Sequence, residues 1–190
     1  MRFKAVVIGL SSGGVEMLLR VLPALPAGFP LPVIVCLHVG QDACGLARLL
    51  DDRSTLHVKE AEVLESAVGG TVYIAPAGYH LLVESDHRFS LSADAAVKYA
   101  RPAIDVLFES AADAYGPGLI GVILTGASDD GAAGLLQVRA RGGYAVIQSP
   151  ETAAAPLMPA SALRTAGADQ LVSPDELVPL LLRLTTKESS

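Results

Sequence analysis

The chain has 190 residues, 51% of them hydrophobic, 18% charged and 5% aromatic, with no tryptophan. That length fits one domain spanning residues 1–190, with a core large enough to stand without staples, and the composition excludes a disordered chain. The formal net charge of -6, from 14 Lys and Arg against 20 Asp and Glu, comes without any long basic run, which excludes the electrostatic footprint of a nucleic-acid binder.

The segment Met1-Arg2-Phe3-Lys4 leads straight into a strand pattern and has no signal-peptide layout. The first strand reads Lys4 to Leu10, a continuous apolar run of the kind buried on both faces. Ser11-Ser12-Gly13-Gly14 follows, and then a helix whose apolar face is Val15, Leu18, Leu19 and Leu22, stopped by Pro23. The most apolar stretch, Val21 to Leu37, is broken by Pro23, Pro26, Pro30 and Pro32, which rules out a simple membrane span. A soluble, cytoplasmic protein is expected. Pro32 to Leu37 is the second buried strand, ending at His38, and a short helix is expected from Cys44 to Leu50. This βαβα opening implies a parallel sheet with right-handed crossovers. Cys36 and Cys44 are too few and badly spaced for a zinc site or a disulfide framework, and Cys36 reads as a small buried side chain.

Four short runs follow: Leu56 to Lys59, Thr71 to Ala75, His80 to Glu84 and Phe89 to Leu91. Split by Gly69-Gly70, Ala77-Gly78 and Asp86-His87, they predict a hairpin-rich insertion on one edge of the sheet. Pro102 marks a helix start, and Ile104, Leu107, Phe108, Ala111 and Tyr115 trace its buried face. Leu119 to Leu124 is a buried strand, Gly131 to Arg141 a helix, Tyr144 to Ile147 a strand and Ala160 to Thr165 a helix. The last helix carries a full start signal, with Ser173 as N-cap, Pro174 at N1 and Glu176 at the capping-box position, and Pro179 is expected to kink it. The fold class is therefore α/β, a doubly wound and mostly parallel sheet with helices on both faces and an edge insertion.

Three polar residues stand at the ends of apolar strands: Ser11 after the first, His38 closing the second, and Asp130 beyond the strand that ends at Leu124. In an open parallel sheet the carboxyl ends of the strands share one edge, so side chains distant in sequence converge there. A serine hydroxyl needs a base to take its proton, a histidine serves at neutral pH, and a buried carboxylate fixes that histidine's tautomer. Gly13-Gly14 permits a sharp turn into the helix, whose N-terminus favours an oxyanion. Each residue also has a plain structural role open to it. Ser11 or Ser12 can be a helix N-cap, His38 a satisfied buried histidine, and Asp129-Asp130-Gly131 a helix start. A nucleotide-binding loop is disfavoured, because Ser11 occupies the second glycine position of the dinucleotide fingerprint and no P-loop lysine is present.

Ile8-Gly9-Leu10-Ser11-Ser12-Gly13-Gly14, Val35-Cys36-Leu37-His38 and Leu124-Thr125-Gly126-Ala127-Ser128-Asp129-Asp130-Gly131-Ala132-Ala133-Gly134 resemble the signature segments of the chemotaxis protein-glutamate methylesterases. Arg101-Pro102, Asp105-Val106-Leu107-Phe108 and Met158-Pro159 add to the likeness, which covers nearly the whole chain in order. The resemblance implies a Ser11–His38–Asp130 triad that hydrolyses glutamyl γ-methyl esters on the methylated cytoplasmic part of chemoreceptors, with glutamine deamidation by the same route. It offers Arg101 as a substrate contact and the backbone N–H near Ala127, with Ser12 beside the nucleophile, as oxyanion candidates. It calls for no metal and no organic cofactor. Enzymes of this family typically carry an N-terminal phosphoacceptor receiver; here three residues precede the first strand, so that control is expected to be absent from this chain and supplied by a separate regulatory protein. The chain departs from the family pattern at Ser12, at Ala127-Ser128-Asp129 and at Pro156-Leu157. Asp129 adds an acid beside Asp130, which bears on His38 and on an acidic substrate surface. Two further readings stand beside this one: an esterase acting on another protein or a small ester, and a catalytically silent signalling module.

Overall fold

The computed structural model describes residues 3–38 and 45–186. Cys44, and with it the expected start of the second helix, lies outside the described residues, as do Met1 and Arg2. In chain order the elements are β1 (Ala5–Leu10), α1 (Gly14–Val21), β2 (Val33–Leu37), α2 (Leu46–Asp51), β3 (His57–Glu60), β4 (Thr71–Ile74), β5 (His80–Val83) and β6 (Phe89–Ser92). There follow α3 (Ile104–Tyr115), β7 (Leu119–Ile123), α4 (Ala132–Ala140), β8 (Tyr144–Gln148), α5 (Leu157–Thr165), β9 (Gln170–Val172) and α6 (Pro174–Thr185).

Seven strands form one sheet in the order β3-β4-β2-β1-β7-β8-β9, every neighbouring pair parallel. The order reverses direction at β1, which sits between β2 and β7, so the sheet is doubly wound about its first strand. The burial of β1, β2 and β7 on both faces explains their unbroken apolar sequences. Side chains alternate between two cores. Val6, Ile8 and Leu10 of β1 and Val33, Val35 and Leu37 of β2 pack with Leu18 of α1 and Leu177 and Leu181 of α6. Ala5, Val7, Ile34 and Cys36 pack on the opposite face with Ile104, Leu107 and Phe108 of α3, Leu135 of α4 and Met158 of α5.

Two of the four middle runs behave differently from the edge insertion that their spacing suggests. β3 and β4 join the main sheet as parallel strands, and only β5 and β6 form an antiparallel hairpin, which packs through Leu81, Val83 and Phe89 onto the α3 face. Short strands flanked by glycine do not reveal their partners, because pairing is a long-range property. The α1 face is also rotated from the predicted stripe: Met17, Leu18 and Val21 are buried, whereas Val15 and Leu19 are half-buried. Leu22, at the predicted end of that stripe, is buried within a short 3-10 turn that carries Pro23. The helix expected from Ala160 starts earlier, at Leu157, and β9 has no counterpart among the predicted elements. At α6 the start signal holds, with both halves of the Ser173–Glu176 capping box formed, while the helix runs through Pro179 rather than ending there.

Candidate active site

The carboxyl ends of β1, β2 and β7 lie side by side. Leu10 pairs with Leu37, so Ser11 and His38 each follow directly from a matched pair, and the His38 N–H donates to the Leu10 carbonyl at 3.1 Å. Their backbones therefore run beside one another at the spacing of neighbouring strands, about 4.8 Å. Continuing the alternation of each strand, Ser11 falls on the side of Val7 and His38 on the side of Cys36, the face covered by α3 and α4.

On that face the His38 Nε2 lies 2.8 Å from Asp130 Oδ2. The carboxylate can only accept, so Nε2 carries the proton and Nδ1 remains to take another. In the serine-protease template it is Nδ1 that faces the carboxylate; here the ring is used the other way round. Asp130 is fully buried, and its oxygens also accept the N–H groups of Ile104 at 2.7 Å and Asp105 at 3.0 Å. Burial pushes the Asp130 carboxyl up, but the His38 hydrogen bond and the two backbone donors outweigh it and hold the group below the usual aspartate value. The carboxylate is thus kept ionised in a dry place, as a partner for an imidazolium requires.

Each sequence expectation has a definite outcome here. The N-cap of α1 is Gly13, with φ of 78°, and no side chain caps it, so neither Ser11 nor Ser12 is spent as a cap. Asp130 does not cap its own helix either: the N-cap of α4 is Gly131, and Asp130 serves the first turn of α3 instead. The side chain of His38 is 16% exposed, within reach of solvent and of Asp130 alike. Among the described residues the Ser11 hydroxyl makes no hydrogen bond, so two of the three groups are joined and the third stands in register beside them. Hydrogen bonds of this kind often close only when substrate binds.

Thr125 ties the serine turn in place. Its hydroxyl donates to the Ser12 carbonyl at 2.8 Å and accepts from the Ala155 N–H at 2.9 Å, while its carbonyl accepts the Ser11 N–H at 2.9 Å. The N–H groups of Ser12 and Ala127 have no acceptor among the described residues, and both residues are exposed. Arg101 is exposed, and its guanidinium donates to the carbonyls of Ala93 at 2.9 Å and Asp94 at 3.0 Å, bracing its own loop. Cys36 is buried beside this site, and burial together with the Asp130 charge drives its thiol pKa well above the ordinary value. Among the described residues no group of three His, Cys, Asp or Glu side chains is poised to hold a metal ion.

Asp105 and Lys98 were not singled out by sequence as site residues. Asp105 accepts the Gly131 and Gly134 N–H groups at 2.9 and 2.8 Å, and Lys98 Nζ lies 3.0 Å from its other oxygen. The signals available for Asp105 were its place in the Asp105-Val106-Leu107-Phe108 likeness and its position as an acid in the first turn of a helix, which the macrodipole alone accounts for.

A family model described as CheB methylesterase matches residues 6–181. A protein of Leptospira interrogans serogroup Icterohaemorrhagiae, strain Fiocruz L1-130, named "Putative protein-glutamate methylesterase/protein-glutamine glutaminase", is 44% identical over 97% of this chain and 96% of its own. The protein-glutamate methylesterase FrzG of Myxococcus xanthus is 39% identical over 90% of this chain, which spans 51% of that relative's length. Among solved structures, the CheB methylesterase catalytic domain of Thermotoga maritima superimposes with a TM-score of 0.92 at 35% identity, covering 97% of this chain and all of that one.

Proposed function

Since the chain belongs to the CheB methylesterase family and is by that membership a protein-glutamate methylesterase, we propose that it cleaves glutamyl γ-methyl esters through Ser11, His38 and Asp130. The observation that carries this reading is the 2.8 Å bond from His38 Nε2 to the buried Asp130, formed beside a serine that no cap or other bond consumes.

Ser11 Oγ attacks the ester carbonyl and its proton passes to His38 Nδ1. The imidazolium so formed is steadied by Asp130 through Nε2–H. Negative charge collects on the former carbonyl oxygen, and the backbone N–H groups of Ser12 and Ala127, which have no other acceptor, are the donors suited to it. Collapse expels methanol, which takes the proton back from His38 and leaves an acyl-serine. Water then attacks, deprotonated by the same nitrogen, and the glutamate carboxylate is released with Ser11 restored. A glutamine side chain runs the same course with ammonia as the leaving group, in line with the second activity in the name of the Leptospira relative.

The substrate we assign is the methylated cytoplasmic part of chemoreceptors, and with it we assign the enzyme to the cytoplasm and to a signalling pathway. No helix among the described residues is long and apolar enough to cross a membrane. The test is methanol release from methylated receptor membranes by wild type and by Ser11→Ala, which is expected to cut the rate by at least about 1,000-fold. Equal release by both proteins removes Ser11 from the mechanism. Turnover of a small aryl ester without methanol release reassigns the substrate, and neither activity leaves a binding module.

A further inference from the structure

The starts of α3 and α4 cap each other. Neither N-cap residue, Ala103 or Gly131, supplies a side-chain cap of its own. Asp130, just before α4, accepts the N–H groups of Ile104 and Asp105 in the first turn of α3. Asp105 returns the arrangement, its Oδ1 accepting the N–H groups of Gly131 and Gly134 at the start of α4. Both aspartates are buried, at 0% and 5% exposure. The two helices can approach this closely only because small residues line the contact. A Cβ on Gly134 would stand 3.0 Å from the Asp105 Cα and carbonyl oxygen, and one on Gly131 would stand 2.7 Å from Ile104 Cγ2.

Two adjacent buried carboxylates are costly unless charge is balanced nearby. Lys98 supplies that balance: its ammonium lies 3.0 Å from Asp105 Oδ2 and 3.7 Å from Asp129 Oδ2, and it donates to the Asp129 carbonyl at 2.9 Å. Burial works to lower the Lys98 pKa, and the hydrogen bond to Asp105 together with the charges of Asp105, Asp129 and Asp130 overcomes it, raising the group above its usual value. The extra acid at Asp129 is therefore matched by a cation already present.

We propose that Asp105, with Lys98 as its counter-ion, is a positioning residue that fixes the Asp130 carboxylate against His38. This rests on the catalytic reading of Ser11, His38 and Asp130 given above. Asp105 makes no hydrogen bond to His38; it acts by holding the start of α4, which Asp130 immediately precedes, against the start of α3, whose N–H groups aim Asp130. An error of about 1 Å in a catalytic group is enough to lower the rate by about 100-fold.

The experiment compares Asp105→Ala, Asp105→Asn and Lys98→Met on two readouts. One is methanol release, split into kcat and KM; the other is the NMR signal of the His38 ring N–H in histidine-labelled protein, assigned by its loss in His38→Gln. Asp105→Ala is expected to lower kcat by about 100-fold with KM within about 3-fold, and to shift the ring signal away from its hydrogen-bonded position. Asp105→Asn keeps an oxygen for Gly131 and Gly134, and is expected to restore the signal and to bring kcat to within about 10-fold of wild type. Should Asp105→Ala fail to fold, Lys98→Met, which leaves both caps intact, carries the test with a smaller shift of the signal in the same direction. A folded Asp105→Ala with wild-type signal and kcat overturns the proposal, as does an unmoved signal in Lys98→Met where Asp105→Ala is unfolded. If wild type releases no methanol but its ring signal responds to Asp105→Ala, the functional reading fails and the positioning role stands.

Discussion

At Asp130 one side chain does two jobs, capping a helix that is not its own and holding the ring of His38. Replacing it by Asn puts an amide where three donors expect an acceptor, so a buried N–H faces an N–H at a cost of about 1–3 kcal/mol. In the serine-protease template the same exchange lowers kcat by about 10,000-fold through the wrong histidine tautomer, and a loss of that order is expected for Asp130→Asn in methanol release. The stability effect carries a pH signature. The folded-state pKa of Asp130 lies below the ordinary value of 3.8, so its contribution is fully present above that value and is lost as pH falls through the lowered one. Urea melts of wild type and Asp130→Asn are expected to differ most at neutral pH and to converge below about pH 4. A difference that ignores pH would contradict the ionised, hydrogen-bonded carboxylate.

Elements are brought to the site by what they lack as much as by what they carry. A Cβ on Gly9 would collide with Ile104 Cγ2, and one on Gly134 would lie 2.6 Å from Phe108 Cβ. These glycines let α3 settle onto β1 and against α4, and so deliver the Ile104 and Asp105 N–H groups to Asp130. Gly134→Ala is expected to destabilise the fold by about 1–3 kcal/mol, because the atoms it meets belong to a packed core that cannot yield freely. Gly28→Ala is the control: no atom lies within 4 Å of its added Cβ, and the change is expected within about 1 kcal/mol of neutral. Chemical denaturation read by circular dichroism separates the two. Kinetics add a second distinction, since only Gly134→Ala is expected to lower kcat.

For the molecule as a whole, the two cores flank a sheet whose central strands are sealed on both faces. Cys36 reports on that seal. It is fully buried, with its thiol driven well above the usual pKa by burial and by Asp130, and the thiolate is the reactive form. Alkylation of Cys36 by iodoacetamide is therefore expected only on global opening, at a rate that follows the unfolding equilibrium as urea is raised. Peptide mapping keeps its label apart from that on Cys44. Rapid alkylation at Cys36 in native buffer would mean that β2 opens locally, which the proposed role of His38 at the end of that strand does not tolerate.

Much of this was already written in the order of the residues. Uninterrupted apolar runs at Ala5–Leu10, Val33–Leu37 and Leu119–Ile123 suit strands covered on both sides, and strands of one parallel sheet end at one edge, so Ser11 and His38 come to the same edge. The Ser173–Glu176 box is local and was equally legible. Pairing was not: β3 and β4 carry too little pattern in four residues each to say whether they fold back on one another or join the main sheet. Nor was the reciprocal capping of α3 and α4. An aspartate in a first helical turn and an aspartate before a helix each look complete alone. That they exchange partners across 25 residues of chain, with Lys98 between them, is decided by helix packing, because hydrogen bonds between elements depend on where the elements come to rest rather than on the sequence inside either one.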